Sequence, residues 1–421
     1  MKDKTKCLRS GYTPSNTDPA VMPIVQSTTY VYDSAEDVAH VFDNPEESLI
    51  YSRFANPTVM AVERKIADLC GGVSAICTSS GQAANLLAIL NLASAGDSVV
   101  ASSKIYGGTI NLLSFTLKKL GIECIYVDQD DDDNTIEAAI KDNTKLIFGE
   151  TIANPALTVF DIQRFASIAH IHNIPLVVDN TFATPMLCKP FQYGADIVTH
   201  STTKYMDGHA VQGGGVVVDS GNFNWAAGDF PEFTEPDPSY HGIIYTEKYG
   251  RDAYIMKLRM QLMRDFGCYP AAHSAFLLNM GLETLAVRMP EYCKNAFTVA
   301  EFLEKHPAIE SVNYPFLKSS PDHYLAEKYL KGGSGVISFV IEGGREKASQ
   351  FMNSLAMASN EVHVADIRTC VLHPASETHR QLTDQQLKAA GISPGMVRLS
   401  VGLEDIDDII EDLNQALSAC I

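Results

Sequence analysis

The chain lacks a long apolar run: nowhere do about eighteen successive residues stay apolar enough to cross a bilayer as a helix. Met1 to Tyr12 carry charge with no apolar stretch behind them, so neither a membrane span nor an export signal is expected. Paired cysteines are also missing. The nine cysteines include no Cys-x-x-Cys pair and no spacing of a zinc site or disulfide framework. Reduced thiols in a cytoplasmic protein follow, with Cys77 and Cys188 read as packing residues. His170 and His172, two apart on an expected helix, do not share a face, so no metal site is expected. Positive charge is short as well. Lys and Arg number 32 against 51 Asp and Glu, a net charge of -19 with pI near 5.0, which argues against a nucleic-acid partner. An anionic ligand must therefore be met locally, by backbone amides and a few arginines.

What is present is enough chain for two or three domains: 421 residues, 46% hydrophobic and 20% charged. Residues 1–55 read as an arm, interrupted by Pro14, Pro19, Pro23 and Pro45, and such an arm is expected to lie on a neighbouring subunit. Asn56-Pro57 then opens a helix, and Val59, Val62, Ile66 and Leu69 hold helical spacing until Gly71-Gly72 ends it. Short apolar runs next alternate with helical patterns: strands near 75–77, 98–101, 122–127, 145–148, 176–178, 197–198 and 216–218, with helices at 82–94, 109–120 and 161–172. The alternation predicts an α/β domain over 56–268, a mostly parallel sheet with helices on both faces. Residues 219–268 break the pattern with Trp225, Phe230, Phe233, Tyr240 and Tyr245, an insertion expected to lie over a cleft or a subunit contact. The acidic loop at 130–133 reads as solvated. From 269 to 421 helices (271–285, 292–305) and strands (336–341, 396–401) predict a smaller α+β domain.

Ligands of such sheets bind beyond the carboxyl ends of the strands, and four strand ends carry chemistry. Lys204, in His200-Ser201-Thr202-Thr203-Lys204-Tyr205, is an amine among hydroxyls that can bond covalently to an aldehyde. Ser79-Ser80-Gly81-Gln82 opens a helix with free amides suited to phosphate, which Ser201 and Thr203 can share. Asp179 ends an apolar run and can hold a proton on a ring nitrogen. Tyr106, before Gly107-Gly108, can stack on a flat ring. Singly, each has a plain structural reading: a surface lysine, an N-cap, a carboxylate capping a neighbouring helix. Together an amine, an acid, a phosphate cradle and a stacking ring are the parts that pyridoxal phosphate requires.

At this point the sequence resembles the pyridoxal-phosphate enzymes of cysteine and methionine metabolism, which include cystathionine γ-synthase, cystathionine lyases, methionine γ-lyase and O-acetylhomoserine sulfhydrylase. The resemblance spans nearly the whole chain. It is carried by Tyr51-Ser52-Arg53-Phe54-Ala55-Asn56-Pro57, Ser79-Ser80-Gly81-Gln82-Ala83, Tyr106-Gly107-Gly108-Thr109, Glu150-Thr151-Ile152-Ala153-Asn154-Pro155, Val178-Asp179-Asn180-Thr181-Phe182, Ser201-Thr202-Thr203-Lys204-Tyr205, His373-Pro374-Ala375-Ser376 and Val397-Arg398-Leu399-Ser400-Val401-Gly402. It implies the aspartate-aminotransferase-like fold (fold type I) and a homotetramer built from two tight dimers. By position it makes Lys204 the Schiff-base lysine, Asp179 the partner of the ring nitrogen and Tyr106 the stacked ring and leaving-group acid. Gly81, Gln82, Ser201 and Thr203 hold the phosphate, joined by Tyr51 and Arg53 from the neighbouring subunit. Asn154 lies near the cofactor's ring hydroxyl, and Arg398 clamps the substrate carboxylate.

Two features bear on the branch. Methionine γ-lyases typically carry cysteine where this chain has Gly108. The insertion, with Phe223-Asn224-Trp225, residues 234–242 and Arg259-Met260-Gln261-Leu262-Met263-Arg264-Asp265, together with residues 373–382, looks like O-acetylhomoserine sulfhydrylase. Replacement of the acetyl group of O-acetyl-L-homoserine by sulfide or methanethiol is thus expected. Methionine γ-lyase or cystathionine γ-synthase or lyase activity stands as the alternative, and a non-catalytic cofactor-binding subunit as a remote one. One departure concerns the substrate side: His363 stands where the family usually has a small polar residue, and Ala365 where it has glycine.

Overall fold

The computed structural model describes residues 1–44, 49–377 and 393–420. Seven strands, β1 (Ser74–Thr78), β2 (Ser98–Ser102), β3 (Glu123–Val127), β4 (Thr144–Glu150), β5 (Leu176–Asp179), β6 (Ile197–His200) and β7 (Gly215–Asp219), form one sheet in the order β1-β7-β6-β5-β4-β2-β3. Only β7 runs against its neighbours, so the other six end at the same edge. Successive residues of a strand face opposite sides, and here they divide between two cores. Ile147, Val178, Val198 and Val216 enter one; Leu146, Phe148, Val177, Ile197 and Val217 enter the other. Apolar residues at every position, rather than at alternate ones, are what a sheet covered on both faces requires.

A second sheet holds β8 (Ile309–Asn313), β9 (Val336–Ile341), β10 (Ser359–Asn360), β11 (Cys370–Leu372) and β12 (Met396–Ser400), ordered β10-β11-β12-β9-β8. It is antiparallel except at β10–β11, and a third core, with Phe339, Phe351, Leu399 and Leu413, fills one face.

The first long helix forms as its sequence dictates. Asn56 caps Pro57–Cys70: its Oδ1 accepts from the Thr58 and Val59 amides at 3.0 and 3.4 Å, Pro57 takes the first helical position, and Gly71 closes the end at φ +80°. Part of the expected arm packs on its own chain. Asp3–Arg9 buries Cys7, and its ends are tied by Lys6–Asp68 and Lys189–Asp3 ion pairs, both 2.7 Å. The acidic loop is structural as well as solvated: Asp132 caps the helix Asp133–Ala138 through the Thr135 amide, and Asp133 pairs with Arg164 at 2.6 Å.

Two differences from the sequence reading have clear causes. The gap expected between helices 271–285 and 292–305 is absent; one 33-residue helix runs Ala272–Glu304 through Pro290. Pro290 faces solvent while Leu285, Ala286, Met289 and Tyr292 continue a buried stripe through it. That burial, at about 1.5–3 kcal/mol per large side chain, outweighs the ~3 kcal/mol of an interior proline. The insertion is also more core than cover. Trp225 stacks on Phe233 and Tyr254, with centroids 4.5 and 5.5 Å apart, Phe230 stands edge-on at 5.3 Å, and all four are buried in the core on one face of the large sheet. From its far end Arg259 bonds the Phe54 carbonyl at 2.6 Å and Glu63 at 2.7 Å, fixing the chain that carries Tyr51 and Arg53.

Asn56 also donates to the Val25 carbonyl at 2.8 Å from a buried position. Asn56→Ala should therefore lower stability by about 1–2 kcal/mol. Urea unfolding checks this, and an unchanged midpoint contradicts it.

Candidate active site

The carboxyl ends of β4, β5 and β6 open on a cavity of about 240 Å³ that reaches to β12. Each strand end delivers a functional side chain by register: Glu150 pairs with Asp179 and Asp179 with Thr199 in adjacent strands. Lys204 enters from the turn that follows β6. It is half-buried, and burial, aided by the Arg398 guanidinium, pulls its amine down to about 8. At pH 7 about one amine in ten is then neutral, against roughly one in three thousand at the ordinary value.

Asp179 is buried and well bonded. Its Oδ1 accepts the Thr181 amide at 3.0 Å and the Thr181 hydroxyl at 2.5 Å; its Oδ2 accepts Asn85 Nδ2 at 3.2 Å. Asn85 is oriented in turn by the Thr199 hydroxyl, 2.6 Å from its Oδ1. Burial raises the Asp179 carboxyl, opposed by these bonds, and a cation beside it restores the charged form.

Glu150 escaped the sequence reading as an individual site residue. It lines the same cavity, accepts the Tyr106 amide on Oε2 at 2.6 Å, and is pushed well up by burial and by Asp179. The available signal was its place after Leu146-Ile147-Phe148-Gly149, the same strand-end position that singled out Asp179.

The helix Gly81–Leu90 points its first turn into the cavity. Ser80 caps it by accepting the Ala83 amide at 3.1 Å, while the Gly81 and Gln82 amides have no partner among the described residues. A Cβ at position 81 would stand 2.6 Å from Ser201 Cβ, so glycine is what lets the two segments close around one small space. Ser201 and Thr203 both line it, but the Thr203 hydroxyl is engaged with Gly214, donating to its carbonyl at 3.2 Å and accepting its amide at 3.0 Å. One lone pair of that hydroxyl stays free.

Tyr106 presents a largely open ring to the cavity, its amide held by Glu150. At Gly108 an added Cβ would lie 2.4 Å from the Tyr106 ring and 2.5 Å from Gln82 Nε2, so a larger side chain there requires those two side chains to shift. On the far wall Arg398 is 6% exposed, donating to Asn154 Oδ1 at 3.3 Å and to the His363 and Val362 carbonyls at 3.0 and 3.4 Å. No carboxylate pairs with it among the described residues. A buried guanidinium matched only by neutral oxygens is a receptor for an anion. His363 sits with Nδ1 3.4 Å from Lys204 Nζ.

Tyr51 and Arg53 are not brought to this cavity. They lie together beside Phe54, the Arg53 guanidinium 5.4 Å above the Tyr51 ring, its Nε buried without a partner. Lys204 and Arg398 are the only basic side chains lining the cavity among the described residues. Residues 378–382, part of the segment resembling the sulfhydrylases, lie outside the described residues. No group of His, Cys, Asp and Glu able to hold a metal occurs among the described residues.

A family model described as Cys/Met metabolism PLP-dependent enzyme matches residues 4–418. The chain belongs to that family. Among its relatives, an O-acetyl-L-homoserine sulfhydrylase of Leptospira meyeri is 44% identical over 99% of this chain and 97% of its own. A homocysteine synthase of Schizosaccharomyces pombe is 45% identical over 98% and 97%. The crystal structure of a Campylobacter jejuni protein named O-acetylhomoserine (thiol)-lyase, which holds N'-pyridoxyl-lysine-5'-monophosphate, superposes with a TM-score of 0.95 at 38% identity, covering 99% of this chain and all of that one. The metB protein of Corynebacterium glutamicum gives 0.84 at 34% identity, covering 99% and 98%. The fold is that of this pyridoxal-phosphate family, and pyridoxal phosphate is its cofactor.

The site fits the cofactor. Unpaired amides at a helix N-terminus suit its phosphate, a buried carboxylate suits its protonated ring nitrogen, and an amine depressed to about 8 suits its aldehyde. With the folded value below the ordinary one, the reactive neutral amine gains population as pH rises through about 8 rather than through 10.5. Capture of pyridoxal phosphate by cofactor-free protein, trapped with borohydride and located by peptide mass, should have its midpoint near pH 8 at Lys204. Arg398→Leu, which removes a neighbouring positive charge, should move that midpoint upward. A wild-type midpoint near 10.5 contradicts the assignment.

Proposed function

We propose that the protein is an O-acetyl-L-homoserine sulfhydrylase of methionine biosynthesis: sulfide replaces the acetate of O-acetyl-L-homoserine to give L-homocysteine, and methanethiol in its place gives L-methionine. The observation that carries this reading is likeness along almost the full chain, 41–45% identity, to relatives named for that activity or as homocysteine synthase. The insertion, which looks like that of the sulfhydrylases, supports it, and its Arg259 braces the segment bearing Tyr51 and Arg53.

Gly81, Gln82, Ser201 and Thr203 would hold the phosphate, Asp179 the ring nitrogen, Asn154 the ring hydroxyl, Tyr106 the ring face and Lys204 the aldehyde carbon. Bound there, the cofactor supplies an electron-withdrawing ring that acidifies the carbons of an attached amino acid. Arg398 binds the substrate carboxylate with two N–H groups and so fixes which bond at Cα is presented for cleavage. Lys204, neutral in a useful fraction, takes the Cα proton and then a Cβ proton. Tyr106 is placed to give a proton to the departing acetate. His363, whose carbonyl braces Arg398, belongs to the substrate side.

The protein works as a cytoplasmic homotetramer, a dimer of dimers. Because among the described residues its own cavity offers a phosphate dianion amides and hydroxyls but no dedicated guanidinium, Tyr51 and Arg53 of each chain complete the neighbouring chain's site. The lyase reading is disfavoured by Gly108, which stands where that branch typically carries cysteine.

A product assay over homoserine esters and thiols tests the proposal. Acetate release from O-acetylhomoserine should require sulfide or methanethiol, and methionine alone should give little 2-oxobutyrate. Rapid 2-oxobutyrate formation from methionine would overturn the branch, and bound cofactor without any turnover would overturn the enzyme.

A further inference from the structure

His363 stands where the family usually has a small polar residue, and its surroundings turn it into more than a packing group. Its Nδ1 lies 3.4 Å from Lys204 Nζ, and its Nε2 is buried, without a hydrogen bond, 3.8 Å from Asp366 Oδ2. A backbone feature creates this pairing. Ala365 adopts φ +67°, a left-handed conformation that costs an L-residue about 1–2 kcal/mol, and its amide is held by Ser400 Oγ at 2.8 Å. The reversal folds Asp366 back toward His363. Asp366 is 2% exposed and accepts from Arg368 at 2.9 and 3.0 Å, while the Arg368 side chain is largely exposed. A series of polar groups, with a 3.8 Å gap between His363 Nε2 and Asp366, thus leads from the half-buried Lys204 amine to solvent.

We propose that Lys204, His363 and Asp366 form a proton relay, in which His363 Nδ1 receives the proton that Lys204 has taken from the substrate and Asp366 stabilises the resulting imidazolium. The inference rests on the γ-replacement reading. In the transfer an Nζ–H bond breaks and an Nδ1–H bond forms; the amine returns neutral, ready for the second abstraction at Cβ, and no other reactant is consumed. The acceptor must start with its one proton on Nε2, facing Asp366.

The charges around His363 are arranged to favour transfer only during turnover. Burial holds the imidazole below its ordinary value, reinforced by the Lys204 and Arg398 cations and opposed by Asp366 and Glu361. Despite its own burial, Asp366 is kept ionised by Arg368. Cys370, whose Sγ donates to the His363 carbonyl at 3.6 Å, is itself pushed up to about 11 by burial and stays neutral. Of the two cations that depress His363, Arg398 is the one neutralised when a substrate carboxylate sits on it. His363 is then a poor base before substrate binds and a better one afterwards.

The test uses the holoenzyme and two readouts. Histidine NMR, with the His363 signal assigned by its loss in His363→Asn, should show a titration midpoint below 6.5 that shifts upward on adding L-norvaline, which has a carboxylate but no leaving group. In Asp366→Asn, provided its thermal unfolding midpoint is close to wild type, that upward shift should shrink. In sulfide-dependent acetate release, His363→Asn should lose about 10- to 100-fold in kcat with KM little changed, and His363→Ala should be partly rescued by added imidazole while wild type is not. A His363 signal indifferent to norvaline, or a His363→Asn enzyme with wild-type kcat from pH 6 to 8, overturns the relay. Absence of acetate release from wild type would instead overturn the proposed function, and the NMR arm would still judge the relay.

Discussion

Desolvation at the shared edge of β4, β5 and β6 governs the chemistry of this protein. Six strands ending together place Glu150, Asp179 and the turn bearing Lys204 around one small space, and helices on both faces keep water from the strand ends themselves. Burial raises both carboxyls and lowers the amine. Among the described residues none of these groups forms an ion pair: the acids are bonded to amides and a hydroxyl, and Lys204 lies 3.4 Å from His363 and beside Arg398. A buried group matched in this way gains most from a ligand that brings the missing charge. The cofactor supplies a ring cation for Asp179 and the substrate a carboxylate for Arg398, so specificity and reactivity arise from the same deficit.

The fold surrounding this edge is what short sequence signals prescribe. Asn56-Pro57 and Gly71 bound a helix to the residue, and the β9 range Val336–Ile341 coincides with its apolar run, because caps and two-sided burial are local matters. The site was legible to the extent that its residues follow apolar strands: Asp179, Lys204 and the Gly81 turn meet in space as their positions suggest. The two helices expected at 271–285 and 292–305 are one because tertiary burial decides whether a helix survives a proline such as Pro290. The insertion misled in the same way, since an aromatic run looks alike whether it covers a surface or completes a core.

Glu150 and the His363–Asp366 pairing were less legible. Nothing in one sequence announces that a carboxylate will grip the amide of Tyr106, forty-four positions earlier, and the His363–Asp366 approach depends on one left-handed alanine. That residue also shows how a departure from the family's pattern can be absorbed: Ala365 keeps a conformation suited to glycine because Ser400 and the surrounding core hold it there. His363 then occupies space beside Lys204 where a smaller residue would leave a gap.

Among the described residues, Arg53 stands away from its own cavity with its Nε buried and unbonded, while that cavity has amides for a phosphate but no cation beyond Lys204 and Arg398. The central claim is that these two shortfalls answer each other between subunits. The direct measurement is a tagged hybrid of Lys204→Ala and Arg53→Ala chains, each of which alone should be nearly inactive. In the hybrid dimer one site regains both an intact lysine and an intact arginine, so about half of the wild-type activity per dimer should return. A hybrid no more active than its parents would contradict the account.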